Sequence, residues 1–152
     1  MQAKSPTQPS PLCIDEPRRS GCPIAFALEI FGDRWTLIVL RDLLLRSRTR
    51  YRELLGCEEG IATNVLADRL KRLERRGLVR KERDPEDARQ FVYKPTQLAL
   101  SLVPMLLEMA AWGARNNANS RGKPDLIRRF ETDRDKVIAE IQARVRREGS
   151  HS

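Results

Sequence analysis

A single histidine, eight aromatic side chains and three cysteines are all that the 152 residues hold of the groups most used for catalysis, base stacking and metal binding. The histidine is His151, second from the C-terminus. A hydrolase or transferase needs a nucleophile, a base and an orienting group brought together, and that set is missing. No glycine-rich phosphate loop is present either, so catalysis, including a site in a dimer cleft, is not expected. The cysteines (13, 22 and 57) are odd in number and contain no Cys-x-x-Cys, which argues against a disulfide framework or a zinc site. No cofactor and no metal are expected. Aromatics make up 5% of the chain, too few for the stacking platforms that hold single-stranded RNA. No apolar run reaches ~18 residues without a charge, and the N-terminus lacks an apolar signal core. The expectation is a cytoplasmic protein that does not span a membrane.

What is abundant is positive charge. Twenty-nine Lys and Arg against 21 Asp and Glu give +8. The distribution says more than the total. From Arg69 to Arg83 there are eight basic residues and two acidic ones, and from Arg41 to Arg52 five arginines accompany a single acid, Asp42. Clustered arginine suits phosphate, because its fork of donors makes paired bonds.

Residues 1–20 carry four of the nine prolines and few large apolar side chains, which reads as a flexible arm. Pro23 then opens a short apolar helix, Ile24–Phe31, closed by Gly32. Asp33 is placed to cap a second helix, Arg34–Arg46, apolar on nearly all sides and so expected at the centre of the core. Past the basic connector Arg46–Arg50, Thr49 is a candidate cap for a short helix at Arg50–Leu55. The turn Gly56-Cys57-Glu58-Glu59-Gly60 follows, its two glutamates expected in solvent.

The next stretch organises the chain. In a helix over 62–76, Leu66, Leu70 and Leu73 fall at i, i+4 and i+7 and make one apolar stripe, while Asn64, Asp68, Lys71 and Arg75 point the opposite way. Gly77 ends it. Two β-type runs, Leu78–Arg83 and Gln90–Lys94, flank the turn-rich Asp84-Pro85-Glu86-Asp87. Two helices joined by a tight turn and followed by a basic hairpin form a winged helix-turn-helix. Thr96 caps a helix of about twenty residues, expected to kink at Pro104. Asn116–Lys123 is a linker, and Pro124 opens a final helical region to about Arg147. Its charged stretch Glu131–Lys136 leaves open one bent helix or two.

These elements imply binding to double-stranded DNA. Thr63, Asn64 and Asp68 lie near the start of the second motif helix, where asparagine can pair with adenine in the major groove. Asp68 can accept from cytosine, or pair with Arg72 at i+4 and only orient it, and the orienting role is favoured. Arg48, Thr49 and Arg50 lie where the first motif helix would meet a phosphate backbone, helped by its N-terminal amides. Lys71, Arg72 and Arg75 extend the basic face. Arg83, Arg89 and Gln90 flank the wing tip, in reach of phosphate or the minor groove. For each wing residue simple solvation is the alternative. A rival for the whole module is docking to another protein instead of DNA.

The chain resembles the HxlR-type winged-helix transcriptional regulators of bacteria. The resemblance rests on Cys22-Pro23, Gly32-Asp33-Arg34-Trp35-Thr36-Leu37-Ile38, Arg50-Tyr51-Arg52-Glu53-Leu54, Ile61 through Leu73, Gly77-Leu78-Val79, Val92-Tyr93 and Trp112, in order across about residues 22–115. It departs from the family pattern at Phe31-Gly32-Asp33-Arg34-Trp35, where Gly-Gly-Lys-Trp is usual, and at Pro95-Thr96, where Leu-Thr is common. The resemblance implies a mainly α fold with a small β-hairpin, a winged helix-turn-helix with flanking dimerisation helices. It also implies a cytoplasmic homodimer, often a repressor, on a partly palindromic operator. The interface it implies would use Ile24, Phe26 and Leu28 of the first helix with Leu102, Leu106, Met109 and Trp112 of the long one. A small winged helix cannot itself cover the apolar face of so long a helix. Some relatives sense electrophiles or oxidants through the cysteine of the Cys-Pro pair, here Cys22, and others answer to small molecules, so an effector of either kind is a candidate partner. Helix N-terminal amides and nearby Arg18 and Arg19 would favour a Cys22 thiolate, with Cys13 as a candidate resolving partner. The domain reading is an arm at 1–20, a DNA-binding and dimerisation domain at 21–118, a helical extension at 119–148 and a tail at 149–152.

Overall fold

The computed structural model describes residues 21–120 and 124–150. The arm with Cys13, Arg18 and Arg19, the end of the linker and the tail with His151 lie outside the described residues. Helix α1 (Pro23–Phe31) begins at Cys22-Pro23 with the proline in its first turn, where the missing N–H has no intrahelical partner to lose. Gly32 ends it, and a Cβ there would collide with the carbonyl of Leu28.

Helix α2 (Arg34–Leu45) is the centre of the molecule. Asp33 caps it by accepting from the amides of Trp35 and Thr36, each at 3.1 Å. Val39, Leu40, Leu43, Leu44 and Leu45 are all buried, and the helix packs against α1, against later helices and against the second strand of the hairpin. The expected central placement is therefore found.

Helix α3 (Tyr51–Leu55) is a single turn and a half. Its cap is Arg50 rather than Thr49: Glu53 Oε2 accepts from the amides of both Thr49 and Arg50 at 2.9 Å. Helix α4 (Thr63–Arg75) follows the turn and buries Leu66, Leu70 and Leu73 against α2 and α3. Each such leucine contributes about 1.5–3 kcal/mol of burial. Gly77, at φ +68°, donates its amide to Glu74, while Leu78 donates to Leu73. This paired closure requires a left-handed residue, hence the glycine.

Strands β1 (Val79–Arg83) and β2 (Phe91–Pro95) form an antiparallel hairpin, in register from Val79 opposite Pro95 to Arg83 opposite Phe91. A bridge between Arg50 and Val92, with Tyr93 N–H donating to Thr49 O at 2.8 Å, ties the start of α3 to this wing.

The twenty-residue helix is two helices, α5 (Gln97–Leu100) and α6 (Val103–Asn116). Pro104 does not kink a helix interior; it sits in the first turn of α6, where it removes no helical bond. Residues Gln97–Asn116 together are long and apolar enough to cross a membrane by length and composition, but Val103, Leu107 and Ala111 of α6 lie in the core. The final region is also two helices, α7 (Pro124–Thr132) and α8 (Arg134–Ser150). Phe130, Val137, Ile141 and Val145 are buried in the same core. Arg144 donates to Leu44 O at 2.6 Å and Gln142 to Leu100 O at 3.1 Å, so α8 is latched across α2 and α5.

Candidate nucleic-acid interface

Helix α4 presents Thr63, Asn64, Asp68, Lys71 and Arg75 to solvent, and Arg72 is half-buried at the edge of that face. No side chain caps its N-terminus, since the cap position is Ala62. The orientation of α4 is fixed from both ends. Tyr51 Oη donates to Thr63 O at 2.9 Å. Arg69 donates through Nε to Asp33 Oδ1 at 2.8 Å, joining α4 to the cap of α2. Burial alone would raise the Asp33 carboxyl pKa, but the hydrogen bonds from Thr36 and Arg69 outweigh it and hold it below its ordinary value. Arg76 reaches the Glu29 carbonyl on α1 at 3.1 Å. Two basic residues of the cluster, Arg69 and Arg76, are therefore occupied inside the protein.

Asp68 pairs with Arg69, not with Arg72. Because Arg69 is drawn along the helix flank to Asp33, its guanidinium also lies beside Asp68, and the expected i+4 partner is left out.

Before α3, the two arginines expected at phosphate are already engaged. Arg48 donates to the buried Asp42 at 3.1 Å. Arg50 donates from Nε to Asp84 Oδ2 and from Nη2 to Glu86 Oε2, both at 2.6 Å. The hydrogen bond from Arg50 holds the Asp84 carboxyl below its ordinary pKa. Arg50 is thus a strut from the helix-turn-helix to the wing tip, where the sequence pointed to a phosphate ligand. The amides of Thr49 and Arg50 are given to Glu53, so they too are not left for phosphate.

The wing tip is closed by its own side chains. Asp84 Oδ1 accepts from Glu86 N–H at 2.9 Å and Asp87 Oδ1 from Arg89 N–H at 3.0 Å. Gln90 Nε2 donates to Asp87 Oδ2 at 2.9 Å. Arg83 donates to Ala88 O at 3.0 Å and lies over the Phe91 ring, with Lys81 on that ring as well. Among the described residues, the side chains of Lys71, Arg72, Arg75 and Arg89 carry no hydrogen bond or ion pair. Lys81 and Arg83 share the face of β1 that carries Phe91, and Arg80 points to the other face beside Glu82, so both the helix and the wing that packs on it carry exposed cations.

Ile24 and Leu28 of α1 and Met109 and Trp112 of α6 are exposed large apolar side chains, at 70, 58, 49 and 65%. Phe26 and Leu102 are half-buried. Leu106 is not part of that surface: it is buried in the core, which removes it from the expected interface set. Cys22 is exposed at the cap of α1, and Cys57 is buried in the turn before α4.

Glu58 is exposed as expected, but Glu59 is paired with Arg41 through both carboxylate oxygens. That bond lowers the Glu59 carboxyl pKa from 4.5 to about 2. Arg41, Arg46 and Arg48 all approach the Asp42 carboxylate, at 2.7, 3.5 and 3.1 Å. The Arg41–Glu59 pairing has no local sequence signature, because the two residues are eighteen positions apart and on different elements, whereas Asp42 draws its three arginines from within six positions.

Comparison with known proteins places this geometry. The model of the HxlR-like helix-turn-helix matches residues 30–121. An uncharacterized HTH-type transcriptional regulator of Halalkalibacterium halodurans is 30% identical over 97 residues, 64% of this chain and 86% of that one. Among solved structures, the redox regulator HypR in its oxidized form aligns with a TM-score of 0.57 at 27% identity, covering 63% of this chain and 98% of HypR. The reduced form of the transcriptional regulator YodB from Bacillus subtilis aligns with a TM-score of 0.52 at 25% identity, covering 66% of this chain and 99% of YodB.

Proposed function

The chain belongs to the HxlR-like helix-turn-helix family of transcriptional regulators, and from that premise we propose that it is a cytoplasmic homodimeric repressor that reads a partly palindromic operator. One observation carries the reading: α4 turns Asn64 and a row of unpaired cations to solvent directly beside a basic wing. Asn64 reads a base edge in the major groove, with Thr63 and Asp68 at its sides. Lys71, Arg72 and Arg75 on the helix and Arg83, Arg89 and Gln90 at the wing meet the backbone or minor groove. Such a surface supports affinity for duplex that falls steeply with salt, because binding phosphates releases their counterions.

The exposed apolar side chains Ile24 and Leu28 of α1 and Met109 and Trp112 of α6 form the dimer contact, with the half-buried Phe26 and Leu102. A dimer sets two α4 helices about one helical turn (~34 Å) apart, as a palindrome requires. Cys22 is the candidate sensor, because its exposed position at the start of α1 lies beside that contact. HypR and YodB are the relatives that suggest redox control as the form of regulation. Footprinting on the DNA flanking the protein's own gene tests the reading. Protection of two half-sites is expected, and an absence of any protected sequence at low salt would overturn it.

A further inference from the structure

Between α2, α6 and α7 lies an open-sided cavity of about 570 Å³, within the range of small-molecule sites. Its walls are apolar, with Leu37 and Ile38 from α2, Met109 and Trp112 from α6, and Ile127 from α7. Arg41 of α2 and Arg46, the residue that ends it, break that lining. They belong to the ionic cluster in which three guanidinium groups (Arg41, Arg46, Arg48) share two carboxylates (Asp42, Glu59), so one positive charge is left over. Arg46 Nη1 is shielded from solvent and makes no hydrogen bond, only the 3.5 Å approach to Asp42. Asp42 therefore holds Arg46 more loosely than it holds Arg41 or Arg48, at 2.7 and 3.1 Å, and the Arg46 charge is the least compensated of the three.

We propose that this cavity binds a small apolar carboxylic acid as its anion, with the apolar body against Leu37, Ile38 and Ile127 and the carboxylate on Arg46 and Arg41. The size, the apolar walls and the single unbalanced positive charge at one end specify that ligand class together. Binding has a path to α4. Arg41 holds Glu59 through both carboxylate oxygens, and Glu59 stands in the turn just before α4. A ligand carboxylate competes with Glu59 for Arg41, releases that turn and lowers operator affinity. This consequence rests on reading the chain as an effector-responsive DNA-binding regulator; the binding itself does not.

The probe is naphthalene-2-carboxylate, with naphthalene-2-carboxamide as its neutral isostere, titrated calorimetrically into the full-length protein without DNA. One site per chain is expected, with the carboxamide about ten-fold weaker or worse, the ratio set by one charge-assisted hydrogen bond. Arg46→Gln should weaken the carboxylate by a similar factor and leave the carboxamide unchanged. Ala110→Phe, which fills the cavity without touching the charges, should abolish binding of both. Operator affinity, read separately by anisotropy, should fall when the carboxylate is added. Absence of saturable binding up to about 1 mM by folded protein, equal binding of acid and amide, or indifference to Arg46→Gln each overturns the proposal. Binding that appears only when the protein is diluted would show the cavity covered by a second copy, and would overturn it too. Unchanged operator affinity at saturating carboxylate overturns the link to α4. A protein that footprints its operator but ignores the carboxylate sinks this site alone; one that binds the carboxylate but no operator sinks the DNA reading and leaves the site standing.

Discussion

Arg50 Nε donates to Asp84 Oδ2 at 2.6 Å across thirty-four positions of sequence, so the segment that starts the helix-turn-helix also holds the wing. Asp84 is buried, and the second arm of the same guanidinium reaches Glu86. Replacing Arg50 with alanine should therefore loosen the wing rather than delete a phosphate contact. The expected signature is faster amide hydrogen exchange over residues 79–95, together with a salt slope of DNA binding that stays unchanged. Arg50→Ala and Asp84→Asn should be strongly non-additive in thermal unfolding, since either alone breaks the same pair. The pH sense follows from the lowered Asp84 pKa. The pair stabilises the fold above the ordinary carboxylate range near ~4, and the contribution is lost as the pH falls through the lower folded value. Additive effects of the two substitutions would show that the strut carries nothing.

Arg89 has the opposite standing, exposed at the wing tip with its side chain unpaired among the described residues. Arg89→Ala should weaken binding to specific and random duplex alike, and reduce the salt slope by about one unit. Lys71→Ala and Arg75→Ala should each do the same. A slope unmoved by all three would place the phosphate backbone elsewhere.

The exposed apolar side chains of α1 and α6 set the third expectation. Leu28→Glu or Trp112→Glu changes a side chain already exposed in one subunit, so folding should survive while self-association weakens. Sedimentation at micromolar protein should show a dimer for the wild type and a shift toward monomer for both variants. A monomeric wild type that still protects DNA would contradict the dimer.

For Cys22, the comparison is operator binding before and after a mild oxidant such as diamide, in wild type and Cys22→Ser. Wild type should lose affinity on oxidation and the variant should keep it. Equal loss in both would move the sensing, if any, to Cys13 or Cys57.

The parts of the fold legible in the sequence are those that depend on near neighbours. Leu66, Leu70 and Leu73 sit on one helical face whatever else the chain does, and Gly77 ends the helix through its own backbone conformation. Asp33 and Thr96 cap the helices they precede, because a cap reaches only two or three residues. Arginine was the least legible residue. Arg50, Arg48, Arg69 and Arg41 all read locally as free surface charge, yet each is spent on a carboxylate, Asp84, Asp42, Asp33 and Glu59, most of them brought near only by folding. Leu106 misled for a related reason. It shares an apolar helix with Trp112, but which side of α6 faces the core is decided by where the other helices pack. Pro104 gave the break its place without its form: a proline fits as well in the first turn of a new helix as in a kinked one.

The central claim is that the outward face of α4 reads base sequence, and Asn64→Ala on the footprinted operator tests it most directly. Asn64 is exposed in the first turn of α4, clear of the core and of the ion pairs that hold the helix, so its loss should leave the fold unchanged. Binding measured at one fixed salt concentration should weaken by about 1–3 kcal/mol on the operator and by much less on random duplex. An equal loss on both, or none on either, would contradict the claim.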